Sequence, residues 1–335
     1  MTTTIKDIAR KLSVSHVTVS KALRGQSPIS LEMQKKVKEV AREMGYRPNI
    51  MARGLTGGKT QTVGIVFSLG GPHNPNELVQ MITQKVHQHH YITQVSDSLF
   101  ETDVIRRILR DYIRRGVDAV VIQFSSHMHV EEIEDLFPAF EAVVLVMSIP
   151  TSTNIDQIVV TRQQAIYDVV DHFLDTGRSR PMILVPPGPR EEKIEPFLRR
   201  LQERGFHFKD EPAMYHQSHA AATSLADVAW EALETHCPDS VPFDALLCGT
   251  DETAVAAYKW LEARGKKVPD DVAVVGFNDS TYAKFLSPSL ASVYRQDEEV
   301  TRLVEQMLFD RLENPGLPPR RADIQMTFMR RESAG

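Results

Sequence analysis

The chain has 335 residues, 42% hydrophobic and 25% charged, with a formal net charge of −5; this is long for one domain and globular in composition. Two cysteines, Cys237 and Cys248, give neither a disulfide framework nor a metal-ligand spacing, which fits a reducing compartment. The polar start leads directly into a helical pattern and no apolar run approaches a bilayer span, so no signal peptide or membrane anchor is expected and the protein is expected to be cytoplasmic.

Ile5, Ile8, Ala9 and Leu12 have the spacing of one helical stripe, predicting a first helix that ends near Ser13. Ser15 is a good N-cap for a second helix, which buries Val19, Ala22 and Leu23 and leaves His16, Val17, Thr18, Ser20 and Lys21 facing out. The gap between the two is so short that only a tight helix-turn-helix fits. Ser30 caps a third helix with the stripe Val37, Val40, Ala41 and Met44, and Gly45 suits its end. A three-helix protein-binding bundle shares this spacing, and charge separates the two readings. Residues 1–60 carry 12 Lys or Arg against 4 Asp or Glu, a net of +8, while the remainder nets −13. A basic head on an acidic body is the footprint of a polyanion partner.

In residues 46–58, Pro48 and Asn49 can start a helix of about two turns that Gly57 and Gly58 stop. So short a helix is marginal in water unless something holds it. Gly58-Lys59-Thr60 imitates the end of a phosphate-binding loop, but that motif's first glycine falls at Arg53, so nucleotide hydrolysis is excluded. From Thr62 short apolar runs (63–67, 119–124, 143–147, 158–160, 182–185, 245–248 and 272–277) alternate with amphipathic stretches, predicting parallel sheets covered by helices. His87, His89 and His90 share a predicted helix without a carboxylate or Cys at ligand spacing, so no metal site is expected. Ser, His and Asp do not combine in a nucleophile-elbow pattern, and Cys248 reads as a small buried residue, so neither catalysis nor a cofactor is expected.

The run Thr4-Ile-Lys-Asp-Ile-Ala-Arg-Lys-Leu-Ser-Val-Ser, then Thr18-Val-Ser-Lys-Ala-Leu, then Gly45-Tyr-Arg-Pro-Asn-Ile-Met-Ala-Arg-Gly-Leu55, with Val268-Pro-Asp-Asp-Val-Ala-Val-Val-Gly-Phe-Asn-Asp279 far downstream, resembles the lac repressor family of bacterial transcription regulators. The resemblance covers nearly the whole chain. It implies an all-α helix-turn-helix head over 1–47, a hinge helix and linker over 48–60, and an α/β two-lobed periplasmic-binding-protein-like domain with parallel sheets over 61–335. Lobe one would hold 61–160 and 295–323, and lobe two 161–294 and 324–335. His16, Val17 and Lys21 match positions that read bases in the family; Lys21 can donate to guanine and Val17 can pack on a thymine methyl. Ser15 belongs to the same interface, and Thr18 and Ser20 suit phosphates. Asn49, Ala52, Arg53 and Leu55 match the family's hinge, where a leucine wedges into the minor groove. No heptad segment follows the tail, which implies a homodimer.

Ligands of open α/β sheets sit beyond the carboxyl ends of strands. The effector candidates are therefore Phe67, Ser68, His73 and Asn74 around the first strand's end, Ser125 after Phe124, Thr250 and Asp251 after Cys248, Asn278 and Tyr282 after Phe277, and Gln296 at a lobe crossing. Their carboxylate, amide and hydroxyl groups suit a polyhydroxylated ligand. Asp251 is equally readable as the N-cap of a helix over 252–264. Two departures from the family pattern stand out: Thr161-Arg162 replaces an Asp-Asn pair, and Lys193 with Pro196 replaces an Arg followed by Gly, Pro196 altering the helix start nearby. Arg162 and Lys193 point to a sugar acid or sugar phosphate. The expected function is sequence-specific transcriptional regulation, as a repressor of carbohydrate-metabolism genes controlled by a small sugar-like effector and partnered by double-stranded operator DNA. A solute-binding protein or a sugar-processing enzyme without DNA function is the alternative.

Overall fold

The computed structural model describes residues 3–23, 28–46, 59–69, 75–185, 190–208, 212–215 and 224–335. The chain divides into two compact units, residues 1–60 and 61–335.

The first unit is helical. Helices α1 (Ile5–Leu12), α2 (His16–Leu23) and α3 (Leu31–Glu43) pack on one another around Ile8, Ala9, Val19, Ala22, Val37, Val40 and Ala41. Each cap has a local cause. The Asp7 carboxylate accepts from the Thr4 N–H and hydroxyl at 3.0 and 2.7 Å, bonds that lower its pKa. Ser13 is left-handed at φ 51° and turns the chain, so that Ser15 can accept from the Thr18 N–H at 3.0 Å and open α2. The Ser30 hydroxyl accepts from the Met33 N–H, and Gly45, at φ 62°, follows the end of α3.

The second unit holds two six-stranded sheets. Introduced in chain order, its elements are β1 (Thr62–Phe67), α4 (Asn76–Gln88), β2 (Ile92–Asp97), α5 (Thr102–Arg115), β3 (Ala119–Phe124), β4 (Ala142–Met147), β5 (Asp156–Thr161), α6 (Gln163–Asp175), β6 (Pro181–Val185), α7 (Arg190–Glu203), β7 (Ala213–Tyr215), α8 (Leu225–His236), β8 (Ala245–Cys248), α9 (Asp251–Ala263), β9 (Ala273–Phe277), β10 (Ala291–Tyr294), α10 (Asp297–Glu313), β11 (Arg321–Gln325) and β12 (Thr327–Met329). The first sheet runs β11-β5-β4-β3-β1-β2, all parallel. The second runs β12-β10-β9-β8-β6-β7, parallel except for β12, which lies antiparallel on β10. The chain passes from one sheet to the other between β5 and β6, between β10 and β11, and between β11 and β12. Central strands such as β1, β4 and β9 are buried along their whole length because helices cover both faces.

One apolar cluster runs from β1, β3, β4 and β5 through α4, α6 and α10 to β6, β8, β9 and β10, so both sheets share a continuous core. At the amino end of β5, Asp156 is fully buried and accepts from Arg311 Nε at 2.8 Å and Nη2 at 2.9 Å and from the Arg320 N–H at 2.8 Å. Burial raises its pKa, but the guanidinium and N–H bonds outweigh that and hold it below the ordinary carboxylate value. Among the described residues no helix is long and apolar enough to cross a membrane.

Candidate functional site

In the head, α2 turns Val19 and Ala22 fully inward, leaving Ser15, His16 and Val17 exposed and Thr18, Ser20 and Lys21 partly exposed. Val17 is 49% exposed and shares a face with the charge of Lys21, four residues on. The Thr18 hydroxyl lies 2.8 Å from Ser15 Oγ, so both hydroxyls serve the helix start as well as the exposed face. Asn49, Ala52, Arg53 and Leu55 lie outside the described residues, as do His73 and Asn74.

In the second unit a cleft opens at the carboxyl ends of both sheets. Its walls are Gln123, Phe124 and Ser125 at the end of β3, Met147 and Ser148 at the end of β4, Arg162 after β5, Glu192 on α7, Phe277 and Asn278 at the end of β9, and Arg295 after β10, with about 50 Å³ of free volume. A larger hollow of about 540 Å³ lies by Glu131, Glu134, Glu141 and Asp156, at the amino ends of β4 and β5. Strand direction favours the smaller one, because ligand-binding loops of such sheets follow the carboxyl ends.

Three of the effector candidates, Ser125, Arg162 and Asn278, come together there. Asn278 has φ 94°, a left-handed backbone that turns the chain sharply off β9. The other described candidates have different places. Phe67 is fully buried in the shared core. Ser68 is buried, its Oγ 3.0 Å from Ser98 Oγ and accepting from the Phe100 N–H at 2.7 Å, so it organises a neighbouring loop. Lys193 is turned away from the cleft: its ammonium donates to the Gly249 carbonyl at 2.7 Å and lies 4.2 Å from the Phe277 ring centroid. Burial, then the nearby Arg162 charge, push its pKa down to about 7. Tyr282 is 40% exposed and does not line the cleft. The Gln296 amide donates to the Gln325 carbonyl and to Thr327 Oγ1, tying two crossings together. Pro196 lies inside α7, not at its start.

Thr250, not Asp251, is the N-cap of α9: it is extended at φ −150° and accepts from the Thr253 N–H at 3.0 Å, while Asp251 is already helical. Asp251 is 1% exposed and accepts from the Ser292 hydroxyl at 2.6 Å and the Ser280 N–H at 2.5 Å, stapling α9 to β10 and to the loop after β9. A Cβ on Gly276 would come 2.1 Å from Asp251 Oδ1, so glycine is what lets β9 pass this carboxylate. Burial pushes the Asp251 pKa up to about 6, against the bonds from Ser292 and Ser280 that lower it. The folded state therefore holds this proton more tightly than the unfolded chain, whose carboxyl titrates near 3.8. Its contribution to stability is full below that value and is lost as pH rises through about 6. Relative to Asp251→Asn, the native protein should lose about 2 kcal/mol between pH 4 and 7 in urea melts. A difference that stays flat across that window contradicts burial as the cause.

The central residue of the cleft is one the sequence reading passed over. Glu192 is buried, and its carboxylate accepts from the Ser126 N–H at 3.1 Å, the Ser126 hydroxyl at 2.8 Å, the Ser148 hydroxyl at 3.0 Å and Arg162 Nη1. Beside it Arg295 pairs with Asp297 at 2.5 and 2.9 Å. Glu192 adjoins Lys193, and the one signal for it was its place on the first turn of the helix after β6. Among the described residues no group of three His, Cys, Asp or Glu could hold a metal ion.

Comparison with known proteins bears on both units. Residues 4–49 match the family described as bacterial regulatory proteins, lacI family, and residues 170–334 match the periplasmic binding protein-like domain. The chain is 29% identical over 318 residues to catabolite control protein A of Priestia megaterium, covering 92% of each. It is 25% identical over 340 residues to the probable HTH-type transcriptional repressor ExuR of Bacillus subtilis, covering 98% of each. The same fold is seen in the lac repressor dimer bound to operator and the anti-inducer ONPF, with a TM-score of 0.78 at 19% identity over 100% of this chain and 99% of that one.

Proposed function

Since the chain belongs to the lacI family of bacterial regulatory proteins, we propose that it is a sequence-specific transcriptional regulator, a repressor of carbohydrate-metabolism genes, whose operator binding is set by a small sugar-like effector in the cleft. The observation that carries this reading is the pairing of a basic helix-turn-helix unit, with an outward-facing α2, and a cleft at the facing carboxyl ends of two parallel sheets. A homodimer presents two such helices about one helical turn apart on a near-palindromic site. Ser15, His16, Val17, Thr18, Ser20 and Lys21 form the reading face, with Asn49, Ala52, Arg53 and Leu55 supplying the minor-groove contacts. The domain scheme is a head over 1–47, a hinge over 48–60 and the effector and dimerisation body over 61–335. Ser125, Arg162 and Asn278 serve the effector. The protein acts in the cytoplasm, on DNA, without catalysis.

Effector binding changes the relation of the two sheets and, through it, the state of the operator-bound dimer. Linkage requires operator DNA to alter effector affinity by the same factor as the effector alters operator affinity. Lys21→Ala tests the reading face. It should relax preference at one base pair of each half-site by about 1–3 kcal/mol, measured by binding to a panel of singly substituted operators. Uniform weakening across the panel means that Lys21 touches phosphate only.

A further inference from the structure

At the centre of the cleft sits a carboxylate that the chain supplies to itself. Glu192 stands on α7, which follows β6 of the second sheet, whereas the groups that hold it follow strands of the first: Ser126 after β3, Ser148 after β4 and Arg162 after β5. Three donors reach Glu192 Oε1 and Arg162 reaches Oε2, so both oxygens are engaged while the side chain is only 6% exposed. A guanidinium, two hydroxyls and a backbone N–H from three separate loops form a receptor for one carboxylate. The receptor is not used to capacity. Arg162 Nε is buried without a hydrogen-bond partner among the described residues, so the guanidinium offers only part of its fork to Glu192.

Room in the cleft agrees with an occupied receptor. Among the described residues, the free volume beside Glu192 is about 50 Å³, a small fraction of the roughly 300–1,000 Å³ of ordinary ligand pockets. A second contact joins the sheets at the rim, where the Thr281 hydroxyl donates to Glu77 at 3.1 Å. Glu192 thus acts as a latch between the sheets, seated where a ligand's acidic group belongs.

Resting on the regulator reading above, we propose that the effector is a sugar acid or similar polyol carboxylate, and that its carboxylate displaces Glu192 from Arg162, Ser126 and Ser148. One carboxylate leaves as another arrives, so the receptor keeps its charge balance and its hydrogen bonds. A neutral sugar cannot make that exchange, because evicting Glu192 would leave the buried guanidinium uncompensated. The displaced Glu192 side chain withdraws to water with α7, which releases the link between the sheets and turns ligand charge into a change of their relation.

The full-length chain and its Glu192→Gln and Glu192→Ala variants test this by thermal melting and titration calorimetry. The probes are acetate, gluconate, glucuronate, glucose and glucose 6-phosphate, and operator binding is measured on each preparation. Removal of the internal competitor should let acetate and glucuronate raise the melting temperature of Glu192→Ala saturably, at concentrations at least tenfold below those that affect the native chain. Glucuronate affinity should rise at least tenfold in Glu192→Gln, glucose should not distinguish the three proteins, and adding Arg162→Met should cancel the carboxylate response. The proposal is overturned if no carboxylate shifts either variant, or if the native chain binds glucose and Glu192→Gln loses it. It is also overturned if only glucose 6-phosphate responds, since the receptor then serves phosphates. In each of these cases continued selection of an operator leaves the regulator reading standing. Loss of all DNA selectivity in the native chain defeats that reading instead.

Discussion

Val19→Asp should abolish selective operator binding while the melting of residues 61–335 stays as it was. Val19 is fully buried among Ile8, Ala22, Val37 and Val40, and it fixes the inward side of the helix whose outer side carries His16, Val17 and Lys21. An unpaired carboxylate at that position costs several kcal/mol, comparable to the whole stability of a head this small. The basic residues remain, so attraction to DNA of any sequence persists with its salt dependence. Affinity for the operator should therefore fall to the non-specific level, a loss of about 10³-fold or more, read by gel shift against competitor DNA. Undiminished selectivity in the variant would mean that α2 is not the reading element.

Asp156→Ala should have the largest effect on the body. The native carboxylate is fully buried between Arg311 and Arg320, and its removal leaves both guanidinium groups without their common acceptor. Breaking such a buried ion cluster costs about 3–5 kcal/mol, which lowers the melting temperature by about 10 °C in a unit of this size. Because the folded carboxyl titrates below its ordinary value, its stabilisation is present at neutral pH and is lost as pH falls through the acid range. The variant should accordingly show a shallower loss of stability on acidification. An equal acid slope in both proteins assigns the acid lability to other carboxylates.

How much of this was legible in the sequence depends on what each residue's surroundings require. The head could be read almost entirely, because Ser15 and Ser30 cap locally and the stripes through Val19 and Val40 are helical in spacing. Central strands were equally plain: the runs 63–67 and 119–124 are apolar because both faces are covered. Strands at the sheet edges were not. β2 reads Ile-Thr-Gln-Val-Ser-Asp and β11 reads Arg-Ala-Asp-Ile-Gln, mixed and mostly unburied, since an edge strand need not be apolar throughout. The antiparallel β12 is equally exposed.

The cleft shows the same division. Strand ends bring Ser125, Arg162 and Asn278 to one cleft, because chain direction alone places them. It could not distinguish Lys193 from Glu192, neighbours whose side chains leave α7 in different directions, one to the Gly249 carbonyl and one into the cleft. Nor could it separate a ligand-binding acid from Asp251, whose partners Ser280 and Ser292 lie 29 and 41 residues away. Long-range partners of buried polar groups leave no periodic trace.

The most direct test of the central claim is selection of genomic DNA fragments by the purified full-length protein, with and without pooled sugars, sugar acids and sugar phosphates. A regulator of this kind enriches near-palindromic sites, and one pool changes that enrichment. Retention of no specific DNA under any of these conditions at moderate salt would contradict the claim, and would return the cleft to the reading of a solute-binding protein or an enzyme.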